Sequence, residues 1–229
     1  MKRVAVILSG GLGTRLRPFT NIIPKPLLPI GEKAILEIQI EQLKKAGFTD
    51  VVLATNYKSE YIENFFGDGS RYGVNLHISK EDEPLGTAGP LKLIEEMLTE
   101  PFLVMNGDIL TDLDFAKLYE FSCDREEKMT VVIKKLLMPY QFGNIEFEGD
   151  VVTNIVEKPS IITYAMSGIY IMRPEILNDI PAGTYFGMDK LILKLLSNKE
   201  KILKYEMKAY WLDVGREEDY NKAQEIYKE

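Results

Sequence analysis

Three glycines and three cations follow the first apolar run of the sequence closely enough to belong to one loop. Gly10, Gly11 and Gly13 come directly after this run, and Arg15, Arg17 and Lys25 follow with no acidic residue before Glu32. Glycine allows a positive φ and lets the backbone approach a ligand closely. Successive backbone N–H groups in such a turn form a concavity that suits phosphate oxygens. The spacing therefore predicts a loop that binds a polyphosphate, and we call it the glycine loop.

Two other kinds of glycine-rich loop are excluded by the residues around this one. The dinucleotide-binding fingerprint is G-x-G-x-x-G, and if it began at Gly11 its third glycine would fall at Leu16. The fingerprint also requires an acidic residue after the second strand, but that strand ends in Ala54-Thr55-Asn56, which contains no acid. The Walker-type loop closes with Gly-Lys-Ser or Gly-Lys-Thr, whereas this chain has Gly13-Thr14-Arg15. Three glycines alone would fit an ordinary surface turn. The segment Pro24-Lys25-Pro26 favours a binding loop, because both prolines restrict the backbone and hold the lysine in place.

Strands that alternate with helices must position this loop. In the first half of the chain, short apolar runs that predict strands are separated by segments with a helical spacing of apolar residues. This alternation predicts a doubly wound, mostly parallel α/β sheet, in which ligands bind at the carboxyl ends of the strands. The glycine loop, Asn56, Glu81 and Asn106-Gly107-Asp108 all follow strands, so we expect them at one edge of the sheet. The predicted strands are 4–8, 51–54, 74–78 and 102–105, and the predicted helices are 34–46, 59–66 and one that begins near residue 87.

The second half of the chain adds a hairpin and a smaller lobe. The turn Glu148-Gly149-Asp150 between two apolar runs predicts a β-hairpin. We expect a single domain over residues 1–229, with a core formed by 1–114 and 206–229 and a smaller lobe formed by 115–205. The predicted strands are 129–136, 144–147, 151–156, 165–172, 202–207 and 210–214, and the predicted helices are 114–121, one opening at Pro174, 189–197 and 217–227.

Composition and charge restrict the partners and the compartment. The 229 residues carry a net charge of −7, which argues against nucleic acid and against anionic membranes as partners. The single cysteine, Cys123, allows no internal disulfide, which is typical of a protein of the reducing cytoplasm. No apolar stretch reaches the length of a membrane span, and the run after Met1-Lys2-Arg3 is too short for a signal peptide. We therefore expect a soluble, cytoplasmic protein.

The glycine loop resembles the signature of a known family. The pattern G-G-x-G-T-R-L-x-P-x-T begins at Gly10, is followed by P-K-P at Pro24, and is similar to that of the sugar-nucleotide pyrophosphorylases. Within them, the stretches Glu81–Leu91 and Trp211–Gly215 look most like mannose-1-phosphate guanylyltransferases. The resemblance implies a Rossmann-like fold of the nucleotidyltransferase type. It also implies transfer of a nucleoside monophosphate from an NTP to a sugar 1-phosphate, release of pyrophosphate and Mg²⁺ as the cofactor, and it allows a homo-oligomer.

The resemblance extends to motifs farther along the chain and implies roles for their residues. Arg15 and Lys25 are the implied catalytic cations, and Asp108 and Asp213 are the implied magnesium ligands. Magnesium in such sites uses one or two carboxylates together with substrate phosphates and water, so two aspartates suffice. The implied nucleotide-binding residues are Leu8, Gly10, Gly11, Gly13, Thr14, Glu81, Pro84, Gly86, Thr87, Asn106 and Gly107, and the implied sugar-phosphate-binding residues are Glu157, Lys158, Ser167 and Gly168.

These residue types suit a reaction that joins two polyanions. Two unit charges about 4 Å apart repel by about 4 kcal/mol at an effective dielectric of about 20, so the approach of the substrates requires cations. A phosphate monoester is already nucleophilic at neutral pH, and no catalytic triad is needed. On this interpretation Arg15 binds the leaving pyrophosphate, Lys25 binds the α-phosphate and Lys158 orients the attacking phosphate. Catalysis then depends on positioning and on electrostatic stabilisation.

The sequence defines the base and the sugar less closely. Glu81 shortly precedes Pro84, where the family reads the base, and a carboxylate can accept the adjacent N1–H and N2–H₂ donors of guanine. This predicts GTP as the substrate, unless Glu81 is only a solvated loop acid. Met166-Ser167 stand where many members have Asn-Ala or Asn-Gly, which leaves the sugar open. Cytidylyl, uridylyl or thymidylyl transfer to another sugar or to phosphocholine, and a non-catalytic subunit that senses nucleotide sugars, are the alternatives.

Overall fold

Residues 2–227, which the computed structural model describes, form strands, α-helices and short 3-10 segments. None of the helices in this part of the chain combines the length and apolar character that crossing a membrane requires. The strands are β1 (Val4–Leu8), β2 (Pro29–Ile30), β3 (Lys33–Ala34), β4 (Asp50–Thr55), β5 (Asn75–Lys80), β6 (Phe102–Asn106), β7 (Ile109–Thr111), β8 (Met129–Pro139), β9 (Asn144–Glu148), β10 (Val151–Val156), β11 (Ser160–Met172), β12 (Leu203–Met207) and β13 (Trp211–Asp213). The helices are α1 (Ile35–Lys45), α2 (Ser59–Phe66), α3 (Phe115–Cys123), α4 (Met188–Ser197) and α5 (Glu217–Ile226). The 3-10 segments are Thr14–Leu16, Phe19–Asn21, Lys25–Leu27, Ser70–Tyr72, Gly89–Met97 and Pro174–Asp179.

Seven of the strands form one sheet in the order β12-β8-β11-β6-β1-β4-β5. The pairs β1–β4, β1–β6, β4–β5 and β8–β12 are parallel, whereas β11 is antiparallel to both β6 and β8. The mostly parallel α/β sheet predicted from the sequence is therefore confirmed. The smaller pairs β2–β3, β7–β13 and β9–β10 are each antiparallel.

The sheet is covered on both faces, and the first strand explains why its sequence is continuously apolar. Ala5 and Ile7 pack into a cluster with side chains of α1, α2 and α3, while Val4 and Val6 pack into another that includes α4. Successive side chains of a strand point to opposite faces, so a strand buried on both faces needs an apolar residue at every position. A third cluster joins the segment after the glycine loop to α1, β7 and α5.

Two helices predicted from the sequence are 3-10 segments in the structure. The helix expected from about residue 87 onward is a run of 3-10 turns over Gly89–Met97, in which Ile94 leaves helical geometry with φ −121° and ψ 19°. Leu91 and Ile94 are buried three residues apart, a spacing that fits three residues per turn as well as about 3.6. The helix predicted at Pro174 is likewise a 3-10 segment, Pro174–Asp179.

Residues 135–164 extend beyond the part of β8 that is paired with β12, and we call them the arm. Here β8 and β11 continue as a ribbon of two strands, paired from Ser160 with Pro139 to Tyr164 with Lys135. At its far end β9 and β10 form the predicted hairpin. Of the predicted smaller lobe, 115–205, parts of β8 and β11 and the first residues of β12 pair within the main sheet, and the arm extends beyond it.

Candidate active site

The register of β1 against β6 brings two loops together at the carboxyl ends of the strands. Leu8 lies opposite Asn106, and the Gly107 N–H donates to the Leu8 carbonyl over 2.9 Å. On the other side of β1, the Ser9 N–H donates to the carbonyl of Ala54 in β4 over 2.7 Å. The glycine loop therefore leaves the sheet between the turn that carries Asp108 and the end of β4, which is the edge expected for a ligand site.

The backbone of the glycine loop is fixed by contacts within the loop. Gly13 adopts φ +60°, and a Cβ at this position would lie 2.8 Å from Thr20 Cγ2. The Thr20 hydroxyl donates to the Gly13 carbonyl over 2.8 Å. The left-handed backbone and the close threonine therefore both require glycine here. A Cβ at Gly11, by contrast, would meet no other part of the described chain within 4 Å, so the missing side chain leaves open space above the loop.

A cavity of about 310 Å³ lies over the glycine loop, and we call it the first cavity. Arg15 and Lys25 line it as cations, and Asp108 lines it as an acid. Two cations beside a glycine-rich turn provide the charge and the kind of backbone that phosphate groups require. The complete lining is Leu8, Ser9, Gly11, Leu12, Gly13, Thr14, Arg15, Lys25, Pro26, Gly107, Asp108 and Gly215.

The pairing of β7 with β13 brings the two predicted metal ligands together. Asp213 lies opposite Ile109, and the Val214 N–H donates to the Asp108 carbonyl over 2.9 Å. Asp108 accepts a hydrogen bond from the Lys25 ammonium through Oδ2. Its other oxygen, Oδ1, and Oδ1 of Asp213 are buried without a hydrogen-bond partner among the described residues. Two buried carboxylate oxygens that lack a donor are what a divalent cation would satisfy, so these residues fit a magnesium ion.

The environment of Asp213 opposes its ionisation. Burial raises the pKa of this carboxyl above its usual value of 3.8, and the neighbouring Asp108 charge raises it further. The positive charges of Lys25 and Arg15 act in the opposite direction. Asp213 is therefore a carboxylate that gains from a nearby cation, because its own surroundings do not fully balance its charge.

A second cavity of about 300 Å³ adjoins the first and shares Leu8, Gly11 and Asp108 with it. Glu81 lines this second cavity although only 6% of its surface is exposed. Its Oε2 accepts the Leu85 N–H over 2.8 Å, and its Oε1 lies on the side of Gly10. Burial raises the pKa of Glu81, and the Leu85 hydrogen bond partly offsets this effect. The complete lining is Leu8, Gly10, Gly11, Ala54, Asn56, Glu81, Pro84, Gly86, Thr87, Asn106, Asp108 and Tyr185.

The loop that carries Pro84 to Gly89 is hydrogen-bonded to the start of α4. The Phe186 N–H donates to the Leu85 carbonyl over 2.9 Å, and the Ala88 N–H donates to the Phe186 carbonyl over 2.9 Å. The Thr87 hydroxyl accepts the Met188 N–H over 2.7 Å. Thr87 thus satisfies a free N–H in the first turn of α4, which is the usual work of a helix cap, although it comes from a distant part of the sequence.

Ala54, Asn56 and Tyr185 line the second cavity but were not among the predicted binding residues, and the last two bring a polar and an aromatic side chain to it. Asn56 was expected at the edge of the sheet, and its side-chain amide donates to the Glu81 carbonyl over 2.9 Å, which holds the two strand ends together. Tyr185 reaches the cavity because Phe186 is bound to the Pro84 loop. Tyr185 is an exposed aromatic residue in a connection between elements, and its local sequence gives no signal of this position.

Another residue missed by sequence reasoning lies beneath the aspartate turn. The Gln39 amide of α1 is fully buried and donates to the carbonyls of Asn106, over 3.0 Å, and Ile109, over 2.8 Å. These carbonyls flank Gly107 and Asp108, so one side chain fixes the turn at both ends. The sequence does contain a signal for Gln39, because this glutamine stands on the apolar face of the amphipathic helix α1. A buried side-chain amide needs hydrogen-bond partners, so its position indicates a structural role.

The predicted sugar-phosphate residues are not brought together with the others. Glu157 and Lys158 lie exposed on the arm, outside the linings of both cavities, and Lys158 adopts φ +45°. Ser167 is buried and its hydroxyl donates to the Val132 carbonyl over 2.9 Å. Gly168 has φ +75° and lies so close to Asn106 that a Cβ would be 2.6 Å from its amide nitrogen. Gly168 therefore supports the cavity wall through Asn106.

The sheet and its cavities are those of an α/β protein with a ligand site at the carboxyl ends of its strands. The chain belongs to the nucleotidyl transferase family, whose model matches residues 4–229. This confirms the resemblance seen in the glycine loop. The mannose-1-phosphate guanyltransferase of Yarrowia lipolytica is 39% identical over 223 residues, which are 94% of this chain and 61% of that protein. The catalytic subunit beta of the Danio rerio enzyme is 37% identical over 224 residues, 94% of this chain and 62% of that protein.

Solved structures agree with this assignment. HddC from Yersinia pseudotuberculosis is 32% identical, with a TM-score of 0.77 over 99% of this chain and 100% of that one. HddC has also been solved in complex with GMP-PN. A UDP-glucose pyrophosphorylase shares the fold, with a TM-score of 0.77 at 21% identity over 100% of this chain and 99% of that one. The chain thus spans about three fifths of the curated relatives named above, 61% and 62%, and nearly all of these structures.

Asp213→Asn should stabilise the protein in the absence of metal. Because folding raises the Asp213 pKa, the folded protein binds this proton more tightly than the unfolded chain does. Wild-type stability is therefore lost as the pH rises from the usual value of 3.8 through the raised pKa, and the variant escapes this loss. Urea unfolding with a chelator present should give the variant the higher midpoint at neutral pH and the same midpoint in acid. A lower midpoint at neutral pH would contradict the assignment, and Asp82→Asn, at an exposed position, is the control.

Gln39→Leu should lower activity more than its effect on stability explains. The variant frees the carbonyls on both sides of Asp108, at a cost of about 1–3 kcal/mol for each buried group left unpaired. Gln42→Leu is the matched control, since this amide of the same helix donates to the Thr111 carbonyl over 2.6 Å, beyond the aspartate turn. Turnover and urea unfolding should be measured for both. If the two variants lose turnover in the same proportion to their loss of unfolding free energy, Gln39 does not position the aspartate turn.

Proposed function

We propose that this protein transfers GMP from GTP to a hexose 1-phosphate, releasing pyrophosphate and forming a GDP-sugar of the GDP-mannose type. The observation that carries the proposal is the pair of adjoining cavities at one sheet edge. One is lined by two cations and an aspartate, which suits a triphosphate. The other is lined by a buried carboxylate and an aromatic ring, which suits a base. The guanylyltransferase names of the relatives support the same activity.

The charges of the first cavity fit the demands of joining two phosphorylated molecules. In the proposed reaction an oxygen of the sugar phosphate attacks the α-phosphorus of GTP, and the bond from that phosphorus to the leaving pyrophosphate breaks. Arg15 is assigned to the pyrophosphate and Lys25 to the α-phosphate. Lys25 is buried against Asp108, so its ammonium is held in one place before the substrates bind. Such pre-positioned charge is the main means of lowering the barrier in phosphoryl-transfer reactions.

A magnesium ion would be held by Asp108 and Asp213 through the two buried oxygens that have no other partner in the described part of the chain. When bound, the ion supplies positive charge that neutralises and orients the phosphates. Lys25 and Arg15 then complete a set of positive charges around the phosphate chain. The described residues contain no cluster of three or more histidine, cysteine or acidic side chains, which agrees with a site that relies on substrate oxygens for its remaining ligands.

The base is assigned to the second cavity through Glu81. Its Oε2 is already engaged by the Leu85 N–H, so Oε1 is the acceptor available to a ligand. Guanine presents N1–H and N2–H₂ on one edge, and an ionised carboxylate is an acceptor only. Tyr185 is assigned to the face of the base, since aromatic rings stack on bases at about 1–3 kcal/mol each. The preference for guanine therefore rests on one carboxylate oxygen.

The sugar phosphate is assigned to Lys158 and Glu157, with Gly168 on the wall between them and the nucleotide. Lys158 lies on the arm and outside both cavities, so the proposed contact requires the arm to approach the nucleotide when both substrates are present. Ser167 is assigned a supporting role, because its hydroxyl is already bonded to the Val132 carbonyl. Its own carbonyl accepts the Trp211 indole N–H over 2.9 Å, so Ser167 holds the backbone next to Gly168 in place.

A panel of nucleoside triphosphates and sugar 1-phosphates, followed by pyrophosphate release, tests the proposed function. We expect GTP with mannose 1-phosphate to be used best. Glu81→Gln keeps an oxygen for the Leu85 N–H but turns the cavity-facing acceptor into a donor. It should lower kcat/KM for GTP about ten- to a hundredfold, the value of one charge-assisted hydrogen bond, and change pyrimidine nucleotides far less.

Glu83→Gln, at the exposed acid two residues on, is the control and should leave the preference unchanged. Better use of CTP, UTP or dTTP by the wild type would overturn the base assignment but not transferase activity. Binding of nucleotide sugar without pyrophosphate release from any pair would favour the sensing-subunit alternative.

The two lysines should separate in their kinetic effects. Lys25→Met should chiefly lower kcat, by about 10²–10³-fold, because its contact strengthens as negative charge develops in the transition state. Lys158→Met should chiefly raise KM for the sugar 1-phosphate, by about tenfold or more. Steady-state kinetics with each substrate varied in turn will distinguish these effects, with Lys201→Met as the exposed control. The reverse pattern would show that the two roles are wrongly assigned.

A further inference from the structure

Lys58 departs from two local rules of helix formation. It directly precedes the first residue of α2, adopts φ +54° and ψ 39° in the left-handed region, and caps no N–H of the helix with its side chain. A residue in this position usually has an extended backbone and a side-chain oxygen that accepts an N–H of the first turn. Lysine has no acceptor, and a left-handed backbone costs free energy in any residue but glycine. A cost of this kind at one residue points to a contact that the residue makes elsewhere.

The side chain of Lys58 makes that contact with the glycine loop. Its ammonium donates to the carbonyls of Asn21 and Ile22, over 2.7 Å in each case. The two carbonyls lie at the end of the 3-10 segment Phe19–Asn21, where the last acceptors of a helix need partners. One ammonium thus closes the end of this segment from a position more than thirty residues away in the sequence.

The segment that Lys58 holds is the one that fixes Gly13. The Thr20 hydroxyl donates to the Gly13 carbonyl over 2.8 Å, and its Cγ2 fills the space that a Cβ at Gly13 would need. Thr20 directly precedes Asn21, so the bonds from Lys58 and from Thr20 act on adjacent residues. Gly13 and the two residues after it line the first cavity. Two successive contacts therefore lead from Lys58 to the residues assigned to the triphosphate.

Lys58 itself is anchored to the sheet and to α2. Ser59 is buried, and its hydroxyl shares a hydrogen bond of 2.8 Å with the hydroxyl of Thr55, the last residue of β4. The rings of Tyr57 and Tyr61 lie 5.2 and 5.4 Å from the Lys58 ammonium, a distance at which an aromatic ring attracts a cation. The ammonium is therefore held from the side of the sheet, and the glycine loop is the part that it positions.

The same short connection between β4 and α2 also serves the second cavity. Asn56 donates to the Glu81 carbonyl and lines that cavity, and Lys58 follows two residues later. Residues 56–58 thus join the wall of the second cavity and the glycine loop of the first to the end of one strand.

We infer that Lys58 is a positioning residue for the nucleotide, which holds the glycine loop in the shape that receives the phosphates before they bind. The inference rests on the proposed function in one respect, the assignment of the first cavity to the triphosphate. A loop that is ordered in advance binds more tightly, because less conformational freedom is lost when the ligand arrives. Removing the ammonium should therefore loosen the loop and weaken the binding of a triphosphate.

Lys58→Met removes the ammonium and keeps a long unbranched side chain. In the free protein, hydrogen exchange of the amides of residues 21–23, which donate to carbonyls within the segment, should become faster. Isothermal titration calorimetry with Mg²⁺ and no sugar phosphate should give a Kd for GTP about tenfold higher than that of the wild type. The Kd for GMP, which lacks the β- and γ-phosphates, should change by less than about threefold. A general loss of stability would not produce this difference between the two nucleotides.

Lys58→Gly separates the contact from the stability of the fold. Glycine adopts φ +54° without strain and is favourable before a helix, so its urea midpoint should be at least that of Lys58→Met. It should still show the faster exchange and the weaker GTP binding. Lys58→Arg keeps donors for both carbonyls and should stay within about threefold of the wild type in GTP binding.

Lys199→Gly is the matched control for the backbone. Lys199 also has a positive φ, +60°, but it is exposed after α4 and lies outside the linings of both cavities. The variant relieves the same kind of strain and should change neither the exchange of residues 21–23 nor the affinity for GTP.

Unchanged exchange of residues 21–23 in both Lys58→Met and Lys58→Gly would overturn the inference. Equal losses of affinity for GTP and GMP would also contradict it, because the effect would then not be confined to the phosphates. If the wild type prefers another nucleoside triphosphate, that nucleotide and its monophosphate take the place of GTP and GMP. Failure of the proposed function is a separate result, since it would appear in the wild type as no pyrophosphate release from any substrate pair. The exchange measurement uses the protein without substrates and depends on no reaction.

Discussion

The site depends on the register that sets β1 opposite β6 and β4. Because Leu8 and Asn106 end their strands at the same level, the glycine loop and the aspartate turn emerge side by side. The Gly107 N–H bound to the Leu8 carbonyl holds them within one hydrogen bond of each other. A shift of one residue would exchange Ala5 and Ile7 with Val4 and Val6 between two closely packed clusters of different shape, so the packing on both faces holds the register. The packing of the core and the geometry of the site are thus enforced by the same strand.

The negative charges of Asp108 and Asp213, at the carboxyl ends of the strands, are only partly balanced by neighbouring groups. Asp108 has Lys25 for one oxygen, while its other oxygen and one oxygen of Asp213 find no donor among the described residues. The two carboxylates lie where β7 and β13 pair, and the charge of Asp108 makes Asp213 harder to ionise. Selection for stability alone would favour replacing one of these two aspartates by a neutral residue. Their presence therefore agrees with a site whose charges are completed by a ligand, at some cost to the free protein.

The sequence revealed the parts of this molecule that are local in the chain. The apolar run 4–8 and the hairpin turn at 149 are each defined by adjacent residues and form as predicted, and of the glycines at 10, 11 and 13 the last adopts a positive φ. Tyr185 and Gln39 could not be found in this way, because their roles depend on contacts with residues about a hundred and about seventy positions away. The 3-10 turns after Gly89 were mistaken for a helix because both periods bury the same apolar residues.

The bonds between the Pro84 loop and the start of α4 limit how this protein can be altered. Thr87 and Leu85 are bound to Met188 and Phe186, so the wall of the second cavity is assembled from two segments that are far apart in the sequence. A short loop transplanted from a relative would arrive without its counterpart and leave the first turn of α4 uncapped. The two segments that form the wall of the second cavity must therefore be exchanged together. Chimeric proteins that take only one of them from a relative should keep the sheet but have a disordered wall in this cavity.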